Sequence, residues 1–295
     1  MDEEELKSYL KASEITKKIM KFGRDYVKRE RGYLKIAEAI EAEIAKEGGK
    51  PAFPVNISVN YFAAHDTPEV NDIRSVNDSD LVKVDFGVLV DGFATDTAFS
   101  YNLSGEHAKQ IEAAEMALQN ALSMVKAGVN VRDIGAEIEK TIKEYEFVPI
   151  DNLCGHSLAQ FDLHAGVEIP NVGRGSYILK EDDVFAIEPF ASTGIGRVND
   201  GDYLQIWSLE PAAKMAVRLP KSRELLSQIA EQYLTMPFAA RWFKDFTMFN
   251  MAIRDLENQG ILHSYPVLKE ARRESVVSQA ETCFIVEKEG AKVLV

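Results

Sequence analysis

The most constraining feature of the sequence is a pair of apolar runs joined by a two-residue link. The runs are 81–90 and 93–101, and the link is Asp91-Gly92. An Asp-Gly pair between apolar runs is a strong hairpin signal, because both central residues of the favoured turn need a positive φ. The chain is therefore predicted to form a tight antiparallel hairpin here.

The predicted hairpin places two carboxylates on one face of a sheet. If Val90 pairs with Phe93, counting back sets Asp85 opposite Ala98. Asp96 lies two residues from Ala98, so the two aspartates are diagonal neighbours about 7–8 Å apart at Cα. The opposite face is apolar and is expected to pack against helices. The aspartate face carries mainly small residues, which predicts a cleft.

Three more potential metal ligands follow in apolar, strand-like segments, namely His156, Glu188 and Glu281. An unpaired ionised carboxylate in apolar surroundings normally protonates, pairs or binds a cation. Four carboxylates cannot neutralise one another, whereas two divalent cations can, and one imidazole completes the set. Each residue alone is a weak signal, since solvated carboxylates and core histidines are common. As an ordered set with Asp85 and Asp96, they predict a metal site.

The other histidines and the two cysteines carry less information. His65 and His164 lie beside small residues or glycine, which leaves space around each ring. The other two, His107 and His263, have no such setting and are predicted to be surface residues. The cysteines, Cys154 and Cys283, each lie two residues from a predicted ligand and so share its face in a strand. Whether they line the cleft or are small buried hydrophobes stays open, because burial is the commoner fate of free cysteine.

Composition and charge exclude several classes of protein. The chain has 295 residues, of which 46% are hydrophobic and 27% charged, as in an ordinary globular protein. Its net charge of −13 argues against general nucleic-acid or membrane binding. No apolar run is long enough to span a bilayer, and the acidic start does not resemble a signal peptide. Two cysteines predict no disulfide framework, which favours a cytoplasmic location.

Hydrophobic periodicity predicts an alternation of helices and strands. Helices are expected at 3–23, 34–46, 106–126 and 131–145. Strands are expected near 55–59, 150–154, 164–168, 183–190, 265–268 and 276–287. Helices followed by strands occur twice, which predicts two related halves. Residues 221–260 are predicted to be helical, and 195–262 is expected to be an inserted helical subdomain within a single domain, 1–295.

Seven motifs together carry a resemblance to a known family: GGKPAFPVNISVNYFAAH (48–65), DFGVLVDGFATDTA (85–98), GHSLAQFDLHAG (155–166), FAIEPFA (185–191), PFAARW (237–242), YPVL (265–268) and SQAETCFIV (278–286). On these motifs the chain resembles the methionine aminopeptidases of type II, the archaeal-like class of the pita-bread metallopeptidases. The resemblance implies an α/β (α+β) pita-bread fold with two pseudo-symmetric halves around a central antiparallel sheet. The implied activity is metal-dependent removal of N-terminal methionine from nascent proteins and peptides whose second residue is small.

The resemblance also implies roles for individual residues. It makes the ligands of two divalent ions (Co, Mn, Fe or Zn) Asp85, Asp96, His156, Glu188 and Glu281, with Asp96 and Glu281 bridging. It implies catalytic roles for His65, His164 and Glu188. It places in the substrate site Phe53, His65, Leu163, His164 and Tyr265. One departure is Thr282, where the family often has His, and this is expected to alter metal affinity or preference without removing a ligand.

Two other functions share this pattern of ligands. Proline-specific peptidases of the same fold usually carry a large N-terminal domain and lack the helical insertion. Non-catalytic, ribosome-associated relatives have lost ligands, whereas all five are present here. The expected partners are nascent polypeptide N-termini, including those at the ribosome, with no nucleic acid and no membrane. The protein is expected to be a monomer.

Overall fold

The computed structural model describes residues 1–213 and 216–295. The helices are α1 (Glu3–Tyr26), α2 (Tyr33–Lys46), α3 (Ala108–Met124), α4 (Val131–Glu144), α5 (Pro220–Gln232) and α6 (Phe249–Asn258), with a 3-10 turn at Ala240–Phe243. The strands of the first half are β1 (Lys50–Pro51), β2 (Asn56–Val59), β3 (Phe62–Ala64), β4 (Leu81–Phe86), β5 (Val88–Val90), β6 (Phe93–Ala94) and β7 (Thr97–Asn102). The remaining strands are β8 (Val148–Pro149), β9 (Cys154–His156), β10 (Glu168–Pro170), β11 (Val184–Ile187), β12 (Phe190–Ser192), β13 (Val198–Leu209), β14 (Phe238–Ala239), β15 (Leu262–Glu270), β16 (Val277–Gln279), β17 (Thr282–Glu287) and β18 (Gly290–Val293).

The first helix pair and the hairpin form one half of the core. Helix α1 begins at a capping box, in which Asp2 accepts from the N–H of Glu5 and the Glu5 carboxylate accepts from the N–H of Asp2. Apolar residues of α1 and α2 pack with one face of β2, β4, β5 and β7 in a single buried cluster. The predicted helical cover on the apolar face of the hairpin is therefore present.

The hairpin has the predicted turn and register. Asp91 and Gly92 have φ values of 51° and 89°. Val90 pairs with Phe93, and the same register continues to Asp85 opposite Ala98 in β7. The local signal was sufficient here, because a two-residue turn fixes the pairing of both strands.

The second helix pair covers the other half of the sheet. Helix α4 is capped at its N-terminus by Asn130, whose side chain accepts from the N–H of Arg132. Helices α3 and α4 pack against β11 and β17 in a second buried cluster. All strand pairs are antiparallel. The covered strand sets, β2-β4-β7 and β11-β17-β18, meet at the Ala98–Glu281 bridge. Two helix pairs on two joined antiparallel halves are the architecture that the sequence predicts.

Three predicted elements differ from the structure. Residues 150–154 were expected as a strand, but 150–153 form a turn, and β9 begins only at Cys154. Residues 164–168 are mostly a loop, with β10 beginning at Glu168. Neither segment has a continuous strand partner: the N–H of Asp151 donates to the carbonyl of Gly196 in a loop, and the N–H of Val167 donates to the Ser157 hydroxyl.

The third is the segment 195–262, which is less helical than expected. It begins with the twelve-residue strand β13, which pairs with β15 over most of its length. Only α5 and α6 are helical within 221–260, and β14 and the 3-10 turn lie between them. Its own buried cluster contains many aromatic rings, including Trp207, Phe238 and Phe243. Its assignment as an inserted subdomain stays a prediction.

Membrane-spanning helices are not found in the described part of the chain, where every helix is too short or too polar to cross a bilayer.

Candidate metal centre

A row of residues crosses the sheet and carries three of the predicted ligands. Asn56 pairs with Asp85, Asp85 with Ala98, and Ala98 with Glu281. The pairing of β11 with β17 continues in the same register as the pairing of β12 with β16. This register sets Glu188 opposite Glu281. Paired residues on adjacent strands point to the same face of a sheet. The three carboxylates therefore project into one space although they come from distant parts of the chain.

The other two predicted ligands, Asp96 and His156, lie close to this row and contact each other. His156 Nε2 lies 3.4 Å from Asp96 Oδ2. Ligand atoms of Asp96, His156 and Glu281 all lie within 4.8 Å of one another. Gly155 allows this approach, because a Cβ there would lie 2.2 Å from the carbonyl oxygen of Ala186 in β11. The sequence signal of glycine before histidine thus reflects close contact between two strands.

All five predicted ligands line one cavity of about 320 Å³. The five predicted substrate residues line it as well: Phe53, His65, Leu163, His164 and Tyr265. No Lys or Arg is among its lining residues in the part of the chain that the structure describes. The four carboxylates consequently face one another across a space without a cationic side chain to compensate them.

Burial and mutual repulsion keep these carboxyls from ionising easily. Burial raises the pKa of Asp85 to about 7. Burial, with repulsion from neighbouring carboxylates, raises the pKa of Asp96, Glu188 and Glu281 well above the ordinary value. Burial also lowers the pKa of His156 well below the ordinary value, so its ring is neutral and can act as a ligand.

The donor set fits a divalent cation. Asp85 Oδ1 is buried and has no hydrogen-bond partner among the described residues. Carboxylate oxygens with one imidazole suit first-row divalent ions, and a bound cation would remove the repulsion between the carboxylates. Asp96, His156 and Glu281 are the compact part of the set, while Asp85 and Glu188 flank Glu281 along the row.

Two polar neighbours of the ligands were not singled out from the sequence. Gln279 Nε2 donates to Glu281 Oε2 at 3.3 Å. Asn56, opposite Asp85, is buried and lines the cavity. Strand register brings both side chains next to the ligands. Sequence reasoning could therefore have identified them only if the strand partners of β2 and β16 had been known.

The predicted substrate histidines lie around Tyr265. His65 has a φ of 62°, and its ring meets Tyr265 edge-on at 5.6 Å between centroids. His164 is exposed at the mouth of the cavity, with its centroid 4.4 Å from that of His156. His263 is exposed, as predicted, but it also packs edge-on against Tyr265 at 4.6 Å. It therefore belongs to the outer wall, which its sequence context did not indicate.

The two cysteines have different surroundings. Cys154 lines the cavity. Cys283 is fully buried beneath the ligands, and its Sγ accepts from the N–H of Asp96 at 3.3 Å. Burial raises the pKa of both thiols to about 12, so neither is a reactive thiolate at neutral pH. Thr282 points away from the ligands, and its hydroxyl donates to the carbonyl of Val295.

The carboxyl pKa values predict how metal and pH together affect stability. Without metal, the folded state retains protons that the unfolded chain releases, so the free energy of unfolding falls as pH rises through about 7, the raised pKa of Asp85. His65 and His156 have lowered pKa values, so they make the free energy of unfolding rise with pH. That rise ends near the ordinary histidine pKa of about 6.5. We therefore expect metal to raise Tm more at about pH 8 than at about pH 5. Melting curves of chelated and metal-loaded protein check this, and an equal rise at both pH values would contradict it.

Comparison with known proteins identifies the family. Residues 7–220 match the model of metallopeptidase family M24. The chain is 43% identical over 298 residues to the methionine aminopeptidase of Thermococcus kodakarensis, and the alignment covers 99% of each chain. The chain belongs to the methionine aminopeptidases of family M24. A second such relative, from Methanocaldococcus jannaschii, is 38% identical over 261 residues and covers 88% of each chain.

Family membership confirms the predicted enzyme class. Methionine aminopeptidases of family M24 are metallopeptidases, so the protein is a methionyl aminopeptidase that uses divalent metal. The buried group of Asp96, His156 and Glu281 is suited to hold it.

Solved structures share the fold at low sequence identity. A thermophilic Arx1 has a TM-score of 0.86 at 16% identity, covering 100% of this chain and 91% of that one. The methionine aminopeptidase of Thermotoga maritima has a TM-score of 0.73 at 18% identity, covering 100% and 97%. The prolidase of Pyrococcus furiosus has a TM-score of 0.63 at 16% identity, covering 99% and 64%. These matches confirm the pita-bread fold, whereas the full-length sequence relatives decide between the alternative functions.

Proposed function

We propose that this methionine aminopeptidase uses two divalent ions to release methionine from protein N-termini whose second residue is small. The observation that carries the proposal is the row of carboxylates around Glu281. Asp85 and Glu188 lie on opposite sides of Glu281. Asp96 and His156 contact each other next to Glu281. That arrangement suits two cation sites with shared ligands between them.

Each ion would be held by a different part of the ligand set. Asp96 and Glu281 would bridge, Asp85 would complete one site, and His156 with Glu188 would complete the other. Mn(II), Fe(II), Co(II) and Zn(II) all suit these donors. Two such ions, when bound, lower the pKa of water and polarise a carbonyl oxygen.

The substrate histidines have different tasks. His65 Nδ1 lies 3.2 Å from the carbonyl oxygen of Pro266, which can only accept, so Nδ1 carries the proton and Nε2 is an acceptor. Burial lowers the pKa of His65 to about 4, which keeps the ring neutral at neutral pH. A neutral ring of this tautomer can accept a hydrogen bond from a substrate amide. His164, at the mouth, would donate to the oxygen that gains negative charge during attack.

Glu188 is the candidate for carrying the proton to the leaving amine. It lies within the cavity beside Glu281, and a carboxylate there can accept a proton and pass it to the amine. Phe53, Leu163 and Tyr265 provide apolar surface in the same cavity for an unbranched thioether side chain.

The enzyme's setting follows from its substrate and composition. Its substrates are the N-termini of nascent proteins, so we place it in the cytoplasm, acting on chains at or recently released from the ribosome. Two unpaired cysteines and an acidic net charge of −13 suit that environment. We propose that it acts as a monomer, because all five ligands come from one chain.

A series of peptides that differ at the second residue tests the specificity. Cleavage of Met-Ala, Met-Gly and Met-Ser termini is expected, with poor activity on Met-Lys or Met-Phe, because a cavity of about 320 Å³ must hold the first side chain and the metal. N-formyl-Met peptides should not be cleaved, since the site requires a free amine. Release of methionine is measured under one metal loading, and equal rates for Met-Ala and Met-Phe peptides would contradict the proposal.

A further inference from the structure

A buried arginine outside the cavity connects parts of the chain that form its wall. Arg241 lies in the 3-10 turn and is 6% exposed. Its Nη2 donates to the carboxylate of Glu41 in α2. Its Nη1 donates to the hydroxyl of Thr67 at 2.5 Å and to the carbonyl of Pro68 at 3.2 Å. One guanidinium thus binds two separate segments at once.

Two acceptors of Arg241, Glu41 and Thr67, are joined to each other by further hydrogen bonds through Val55. Glu41 accepts from the N–H of Val55 at 3.1 Å and from the indole N–H of Trp242 at 3.0 Å. Thr67 donates to the carbonyl of Val55 at 2.8 Å. These bonds link the segments 53–56, 64–68 and 237–242 to α2 in one buried network, defined here as the Arg241 network.

Each linked segment carries residues that line the metal cavity. Phe53 and Asn56 come from the first segment, Ala64 and His65 from the second, and Pro237 from the third. None of the network's side chains lines the cavity itself. The network is therefore placed to set the relative positions of three parts of the wall without touching substrate.

We propose that Arg241 is a positioning residue that fixes the width of the pocket for the first side chain of the substrate. The proposal rests on the methionine-releasing function above. A guanidinium presents its donors in a rigid plane and can hold several acceptors at fixed angles, whereas a lysine ammonium cannot. Loss of this geometry lets the three wall segments move relative to one another, which changes which side chains fit.

Charge makes the choice of variants important. Arg241→Met alone leaves the buried Glu41 carboxylate without its cation, which can destabilise the protein for reasons unrelated to the pocket. The double variant Glu41→Gln with Arg241→Met removes both charges and still lacks the guanidinium. Arg241→Lys keeps the charge but loses the planar set of donors. Together these variants separate positioning from charge balance.

The experiment compares kcat and KM for Met-Ala-Ser and Leu-Ala-Ser in the metal-loaded enzyme. In the double variant, the preference for methionine over leucine should fall by roughly tenfold, within the range of a changed apolar pocket contact. Arg241→Lys should give a smaller fall in the same direction. KM for Met-Ala-Ser should change more than kcat, and bound metal, measured by elemental analysis, should equal that of the unmodified enzyme.

Gln110→Ala is the matched structural control. Gln110 is buried in α3 and donates to the carbonyls of Ala191 and Val276, neither of which lines the cavity. It should lower Tm without altering the preference for methionine. An unchanged preference in the folded, metal-loaded double variant would overturn the positioning role, as would an equal fall in Gln110→Ala. Failure of the unmodified enzyme to release methionine would instead overturn the proposed function.

Discussion

Replacing Asp96 or Glu281 with alanine is expected to abolish peptide cleavage while the fold survives at room temperature. Each residue lies in the compact ligand group, and its loss removes a carboxylate from both proposed ion sites. Changes to residues that merely support a ligand typically weaken metal binding about 10–100-fold, so losing a shared ligand should cost more. Folding should persist, because the substitution also removes repulsion among buried carboxylates.

The measurements for these variants are turnover and metal content in metal-supplemented buffer. Glu168→Ala is a matched control, since Glu168 is a carboxylate in the cavity wall but lies outside the ligand set. It should bind metal as the unmodified protein does. Near-normal turnover by Asp96→Ala or Glu281→Ala would show that the ligand assignment is wrong.

Replacing His164 with alanine is expected to lower kcat by roughly 10²–10³-fold, the usual effect of losing one donor to a developing oxyanion. His164 stands at the cavity mouth beside His156, yet only His156 belongs to the compact ligand group. A group that acts only in the transition state should change kcat and kcat/KM together. Bound metal should remain, and elemental analysis checks it alongside the kinetics.

His263→Ala provides the comparison for this prediction. His263 packs against the same Tyr265 ring but lies outside the metal cavity, so its loss should have a much smaller effect on kcat. If His164→Ala lost its metal, His164 would be a ligand and not a transition-state donor.

The sequence was most informative where the fold depends on neighbours in the chain. The Asp91-Gly92 turn determines the register of both hairpin strands, and this local signal alone is enough to place Asp85 and Asp96 on one face. The other ligands belong to strands far apart in the chain. Their convergence on Ala98 and Glu281 depends on strand pairing that periodicity does not encode. In the sequence they are joined only by the cost of burying several carboxylates and by the family resemblance.

Features that depend on distant contacts were not predicted. Strand β13 lies in a segment predicted to be helical, because its polar residues at 198–203 obscure the alternation expected of a strand. Asn56 and Gln279 become visible only when the partners of Asp85 and Glu281 are known. No local pattern in the sequence marks Arg241 as buried, and only packing shows that it lies against its acceptors in α2 and the 64–68 segment.

We expect this metal site to be where the peptide bond after an N-terminal methionine is cleaved. The most direct measurement compares turnover of Met-Ala-Ser with that of Ala-Pro-Ala by the same enzyme, after chelation and after restoring a divalent metal. We expect rapid, metal-dependent release of methionine from Met-Ala-Ser and little cleavage of Ala-Pro-Ala. Faster turnover of the proline peptide, or methionine release that persists after complete chelation, would contradict this claim.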